Sequence, residues 1–190
     1  MTQTTREQFL ETTCNLIETQ GYYATGLNQI IKESGAPKGS LYYHFPNGKE
    51  ELVADAIDLT GLKVSERIEL NLASEPDPAK AVWTFIHRIA DNVELSGFSA
   101  GGPLMTVAME TVTSSERINL ACREAYGRLV QAFEAKLLSG RYSEKRAAEL
   151  AVFIVTAVEG GILLSRTNHT SDPLRLVADE LRRLLDAATN

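Results

Sequence analysis

Cysteine, histidine and tryptophan are scarce in this chain, and their scarcity narrows the chemistry open to it. The two cysteines, Cys14 and Cys122, lie far apart, and the three histidines, His44, His87 and His169, are scattered. Neither set has the short spacings of a metal site, so no metal and no cofactor is expected. Cys14 shares helical spacing with Leu10 and Ile17, the place of a small core hydrophobe. Glu110, Glu134 and Glu159 have no His or Cys partner at useful spacing, and Ser99 and Ser114 have no nearby base. An enzymatic role therefore finds no support, although triads do assemble across sequence. No unbroken run of about 18 apolar residues occurs, so no membrane span is expected. Met1–Arg6 lacks the apolar core of a secretory signal, which leads to an expected cytoplasmic location. A further absence is local. From Ser34 to Lys49 there is no acidic residue, in a chain whose net charge is −6.

At 190 residues the chain fits one large domain or a small one joined to a larger one. Apolar residues recur with helical rather than alternating period. The pattern predicts a first helix over 5–20 that ends at Gly21, a second over 27–34 with Thr25 helping to cap it and Gly35 ending it, and a third over 38–44. A long fourth helix opens at Asn47-Gly48 and runs towards Asn71. Further helices are expected over 78–95 and 104–112, from Ser114 or Ser115 to Leu138, from Ser143 through the apolar stretch to Leu164, and from Asp172 onward. The expected fold is all-α with about nine helices. Residues 1–48 are expected to form a helix-turn-helix unit, and residues 49–190 a larger helical bundle.

The acid-free stretch has the chemistry of a surface that docks on phosphate. On a third helix turning about 100° per residue, Leu41 and Phe45 point inward together, while Tyr43 points away between Gly39 and Ser40. Gly39 lets a backbone come close, and Ser40, Tyr42, Tyr43 and His44 can reach phosphate oxygens or base edges. Lys49, in the first turn of the fourth helix, adds charge to a helix N-terminus that already suits anions. As an ordinary three-helix unit, the same residues would be packing groups and solvated lysines. The face of Gly, Ser, Tyr and His without acids favours DNA.

These residues also resemble a known family. Gly21-Tyr22-Tyr23-Ala24-Thr25, Ile30-Ile31-Lys32-Glu33-Ser34-Gly35, Lys38-Gly39-Ser40-Leu41-Tyr42-Tyr43-His44-Phe45 and Lys49-Glu50-Glu51-Leu52 are similar to the N-terminal domain of TetR-family transcriptional regulators. Gly102 to Glu110 resembles a segment of the LmrA/YxaF-type subgroup. The resemblance implies a homodimeric repressor that binds a double-stranded DNA operator and is released by a small-molecule effector. The DNA contacts it implies are Thr25, Lys38, Gly39, Ser40, Tyr42, Tyr43, His44 and Lys49. Pro37 stands where many members cap the third helix with serine, and it supplies no side-chain cap. Gly102 stands where relatives often carry cysteine, which argues against a thiol sensor there.

In the bundle, Trp83, Phe98, Met105, Met109, Phe133 and Phe153 are candidates to line a site for an aromatic or amphipathic effector, with Asn92 and Glu110 as polar candidates. Residue by residue each also suits the core. The last two helices are the expected dimer surface: Ala147, Ala148, Ala151, Gly160 and Gly161 on one, and a leucine stripe on the other. Two other classes stay open: a helical protein-interaction module, and an enzyme with a pocket in the bundle.

Overall fold

The computed structural model describes residues 4–188, and all its regular structure is helical. Among these residues nine helices follow in order: α1 (Thr5–Ala24), α2 (Leu27–Ser34), α3 (Lys38–His44), α4 (Lys49–Ala73), α5 (Pro78–Leu95), α6 (Met105–Thr111), α7 (Glu116–Leu138), α8 (Glu144–Asn168) and α9 (Asp172–Ala187). The chain forms two compact units. The first holds 1–62 and 103–126, and the second holds 63–102 and 127–190. Helices α4 and α7 therefore contribute residues to both.

In the first unit α1 begins with a complete capping box. Thr4 accepts from the Glu7 N–H, and the Glu7 carboxylate accepts from the Thr4 N–H. Phe9, Leu16 and Ile17 of α1, Ile30 of α2, Leu41 of α3, Phe45, and Leu52 and Ile57 of α4 are all buried. Phe9 and Phe45 meet edge to face at 6.3 Å. The α2–α3 turn depends on Gly35, whose left-handed backbone (φ 66°) closes α2. Pro37 starts α3 without a side-chain cap. Ser115 caps α7 by accepting from the Ile118 N–H.

Two expectations at the end of α1 are corrected. The helix continues past Gly21 to Ala24, with Gly21 itself out of helical geometry at φ 80°, ψ −179°. Thr25 does not cap α2, because its buried hydroxyl donates instead to the Gly21 carbonyl at 2.7 Å. Residue 21 needs glycine for its backbone. Its dihedrals suit almost no other residue, and a Cβ there would lie 2.6 Å from a carboxylate oxygen of Glu110, which would have to shift. Gly21→Ala should cost roughly 1–3 kcal/mol of stability through backbone strain. Urea unfolding monitored by circular dichroism measures it directly.

The second unit is built largely on α5 against α9 and α8 against α9. Val82, Phe85, Ile86 and Val93 of α5, Ile154 and Ile162 of α8, and Leu174, Leu181 and Leu185 of α9 are buried. The small residues of α8 serve this packing: Ala147, Ala151 and Gly161 are buried, and a Cβ on Gly161 would press within 3.0 Å of Leu174. The opposite side of α8 exposes Val152, Phe153, Leu163 and Leu164, with Thr156 and Gly160 between them. With both sides apolar, α8 reaches a mean hydropathy of 1.9 over 18 residues, enough by length and composition alone to cross a membrane. Its inner face is core, so the apolar character left to explain is the outer stripe.

Candidate nucleic-acid interface

Helix α3 is anchored from below and open above. Leu41 and Phe45 are fully buried, while Lys38, Gly39, Tyr42 and Tyr43 are exposed, Tyr43 by 82%. No neighbouring atom lies within 4 Å of where a Gly39 Cβ would be, so the fold itself does not require glycine there. The Ser40 hydroxyl donates to the Pro37 carbonyl at 2.6 Å and remains half-exposed. His44 is half-buried, its ring 5.0 Å from Tyr43 and 6.3 Å from Phe45. Lys38, Gly39, Ser40, Tyr42, Tyr43 and His44 thus share one short helix with an accessible outer surface. Among all charged groups from 34 to 49, only lysines occur.

The other two candidates sit differently. Thr25 is buried, with its hydroxyl turned inward. Lys49 is half-buried: its Nζ donates to the Tyr22 carbonyl at 2.6 Å and lies 4.0 Å over the Tyr22 ring. Burial holds its ammonium below the usual lysine pKa, while the Glu110 carboxylate acts in the opposite sense. The same crowding raises the Tyr22 phenol, chiefly through burial.

The start of α4 is fixed by polar contacts from the α6–α7 segment. Glu51 accepts from the Asn47 N–H at 2.8 Å and pairs with Arg117 at 3.3 Å. The Asn47 N–H is the main reason its carboxyl titrates below the ordinary range. Ser115 donates to Glu50, and Tyr23 donates to Ser114 at 2.9 Å. Glu110, a polar candidate for effector binding on sequence grounds, accepts from the Tyr22 N–H at 2.5 Å and, more weakly, the Tyr23 N–H at 3.4 Å. Nothing in the sequence spacing ties residue 110 to residue 22. The one available signal was a glycine in mid-helix.

The six effector candidates divide between the two units. Met105 and Met109 belong to the first unit, where Met109 is 74% exposed. In the second unit the Trp83 indole donates to Asp179 at 2.8 Å and stacks on His87 at the α5–α9 contact. Phe133 is buried against Phe85, with ring centroids 6.0 Å apart, and Phe153 is 51% exposed on the outer stripe of α8. Phe98 has a left-handed backbone (φ 64°) and packs on His169 at 5.5 Å. Arg166, which sequence reading passed over, donates to the carbonyls of Phe98, Ser99 and Gly101 and so holds the glycine-rich loop. Cys122 is buried with its thiol pushed up to about 11, by burial first and then by Asp58, which suits a core residue and not a reactive thiol.

Comparison with known proteins agrees with this geometry. Residues 9–56 match the model of bacterial regulatory proteins of the tetR family, and residues 78–180 match the C-terminal domain of LmrA/YxaF-like transcriptional regulators. The chain is 41% identical to the uncharacterized HTH-type transcriptional regulator YxaF of Bacillus subtilis over 93% of its own length and 92% of that protein's. It is also 41% identical to the HTH-type transcriptional regulator LmrA of the same organism, covering 95% and 96%. Among solved structures, reduced Escherichia coli NemR shares the fold with a TM-score of 0.82 at 20% identity, covering 95% of this chain and 96% of NemR. A TetR regulator from Chloroflexus aurantiacus reaches 0.79 at 24% identity, covering 96% and 94%. The acid-free, outward-facing α3 and the matches on both sides of residue 60 lead to one conclusion: this chain belongs to the TetR family of bacterial transcriptional regulators, in its LmrA/YxaF-like group.

Proposed function

We propose that the protein is a homodimeric repressor that reads a near-palindromic operator with α3 of each protomer and is released by a small aromatic or amphipathic effector. The observation that carries this reading is the outer face of α3, where Tyr42 and Tyr43 stand in solvent over an open Gly39 while Leu41 and Phe45 fix the helix from beneath. Lys38, Gly39, Ser40, Tyr42, Tyr43 and His44 form the reading surface. Lys49 meets phosphate, and Thr25 supports the start of α2 from inside. Residues 1–48 are the DNA-binding domain, and residues 49–190 sense the effector and dimerise. The outer stripe of α8 and the exposed Leu176 of α9 form the dimer surface. The site of action is the cytoplasm, where operator DNA is.

The effector is assigned to the second unit near Phe98, whose loop hangs on Arg166. Occupancy at Phe133 requires its ring and that of Phe85 to part. The effector acts by its different affinity for two states, typically a coupling of about 1–3 kcal/mol, with α4 and α7 as the helices whose residues belong to both units.

The test is salt titration of binding to a duplex selected by the wild-type protein from a randomised pool. With Lys38 and Lys49 on each of two heads, log K should fall with log salt at a slope of about −3 to −4 or steeper. A flat response, or failure to select any sequence, would instead favour a protein-interaction module.

A further inference from the structure

Helix α6 carries Val107, Glu110 and Thr111 at helical spacing on one face, with Val107 and Thr111 fully buried and Glu110 half-buried beside them. That face packs on α1. At the point of contact α1 is kinked at Gly21, and the Tyr22 and Tyr23 N–H groups follow directly on the kink. The Glu110 carboxylate takes both. Consecutive N–H groups of this kind make a concave seat for an anion, and a carboxylate in it forms bonds about twice as strong as neutral ones. The Tyr22 carbonyl of the same turn then accepts from Lys49 Nζ at 2.6 Å and from the Thr25 N–H at 3.3 Å, and the Tyr22 ring lies beneath the ammonium. One dipeptide of α1 therefore joins an anion from α6 to a cation at the head of α4.

We infer that Glu110 is a positioning residue for DNA binding: by holding the Gly21–Tyr23 turn, it fixes the Tyr22 seat from which Lys49 presents its charge to the phosphate backbone. An ammonium has three N–H donors, and the Tyr22 carbonyl takes one of them. The carbonyl and the ring set the direction of the others without consuming them. Glycine at 21 is part of the device, since any Cβ would displace the carboxylate. Helix α6 lies in the stretch matched by the C-terminal family model, yet it packs in the same unit as α1–α3.

This inference rests on the phosphate role proposed for Lys49, and the experiment separates the two. Wild type, Lys49→Met, Glu110→Gln and the double variant are titrated with salt on the selected duplex, and the melting temperature of each is recorded. Loss of one contact per head in Lys49→Met should make the salt slope shallower by about 1.8 and weaken binding about 30-fold at about 0.15 M salt. Glu110→Gln should reproduce most of that change in slope, and the double variant should be no weaker than Lys49→Met alone. If Lys49→Met leaves the slope unchanged, the phosphate role itself fails. If Lys49→Met changes the slope and Glu110→Gln does not, or if the two losses add in full, Glu110 is only a structural residue and the inference is overturned. Should Glu110→Gln not fold, Glu110→Asp, whose shorter arm keeps the charge but withdraws it from the turn, takes its place with the same expected slope and the same overturning result.

Discussion

A chain carrying Phe153→Asp and Leu164→Asp should fold normally, sediment as a monomer at micromolar concentration and lose operator affinity by about 100-fold or more. The two side chains are 51% and 53% exposed on the outer stripe of α8, so replacing them disturbs no core contact. Substitutions at such sites usually change stability by no more than about 0.5 kcal/mol, and helix propensity adds a few tenths against aspartate. In a dimer the same positions would face their symmetry mates, because a two-fold interface brings one patch onto itself. Two carboxylates per protomer would then be buried without partners, which no stable interface tolerates. The large effect on DNA follows from linkage. Two joined heads gain an effective concentration that a single head lacks, and that gain spans roughly two to four orders of magnitude. Analytical ultracentrifugation with circular dichroism measures the first part, and fluorescence anisotropy on the selected duplex measures the second. A stable dimer carrying both aspartates would move the interface off α8.

The second large effect is expected from Ser40→Ala combined with Tyr43→Ala. Tyr43 is 82% exposed and its ring meets that of His44 edge to face at 5.0 Å, so its loss removes little from the fold. The Ser40 hydroxyl only doubles a turn that the Ser40 N–H already makes to the Pro37 carbonyl at 3.0 Å. The melting temperature should therefore stay within a few degrees of wild type. On DNA the balance is different. Four lost contacts per dimer at about 1–3 kcal/mol each amount to the whole gap of about 4–10 kcal/mol between specific and non-specific binding. Specific binding should fall to the level of a scrambled duplex while weak, salt-sensitive binding through the lysines persists. Retained discrimination between selected and scrambled duplexes by the folded double variant would remove α3 from the reading surface.

Most of the fold was legible from helical period and from glycine and proline punctuation, because those signals are local. Gly35, Pro37 and the Leu41/Phe45 pair define α2 and α3 without help from the rest of the chain. The end of α1 was misread for the opposite reason. Gly21 ordinarily stops a helix, but Glu110 supplies acceptors to the N–H groups beyond it and lets one more turn form. A partner 88 residues away leaves no trace in local spacing. Thr25 was a plausible cap by residue type, yet the kink brings the Gly21 carbonyl within reach of its hydroxyl and claims it. On α8 the small residues were expected at a dimer surface, but Ala147, Ala151 and Gly161 are buried, and Gly161 faces Leu174 and Val177 of α9 in the same chain. The outer stripe, which we propose as the dimer surface, exposes the large residues Val152, Phe153, Leu163 and Leu164. Period alone cannot separate these two faces when both are apolar.

Hydroxyl-radical footprinting of the wild-type protein on its selected duplex tests the central claim most directly. Two heads on a two-fold dimer, each reading with α3, should protect two patches related by a dyad, on one face of the duplex. Their centres should lie one helical turn of about 34 Å, or a whole multiple of it, apart. A single patch without symmetry, or protection that does not follow the duplex repeat, would contradict the account.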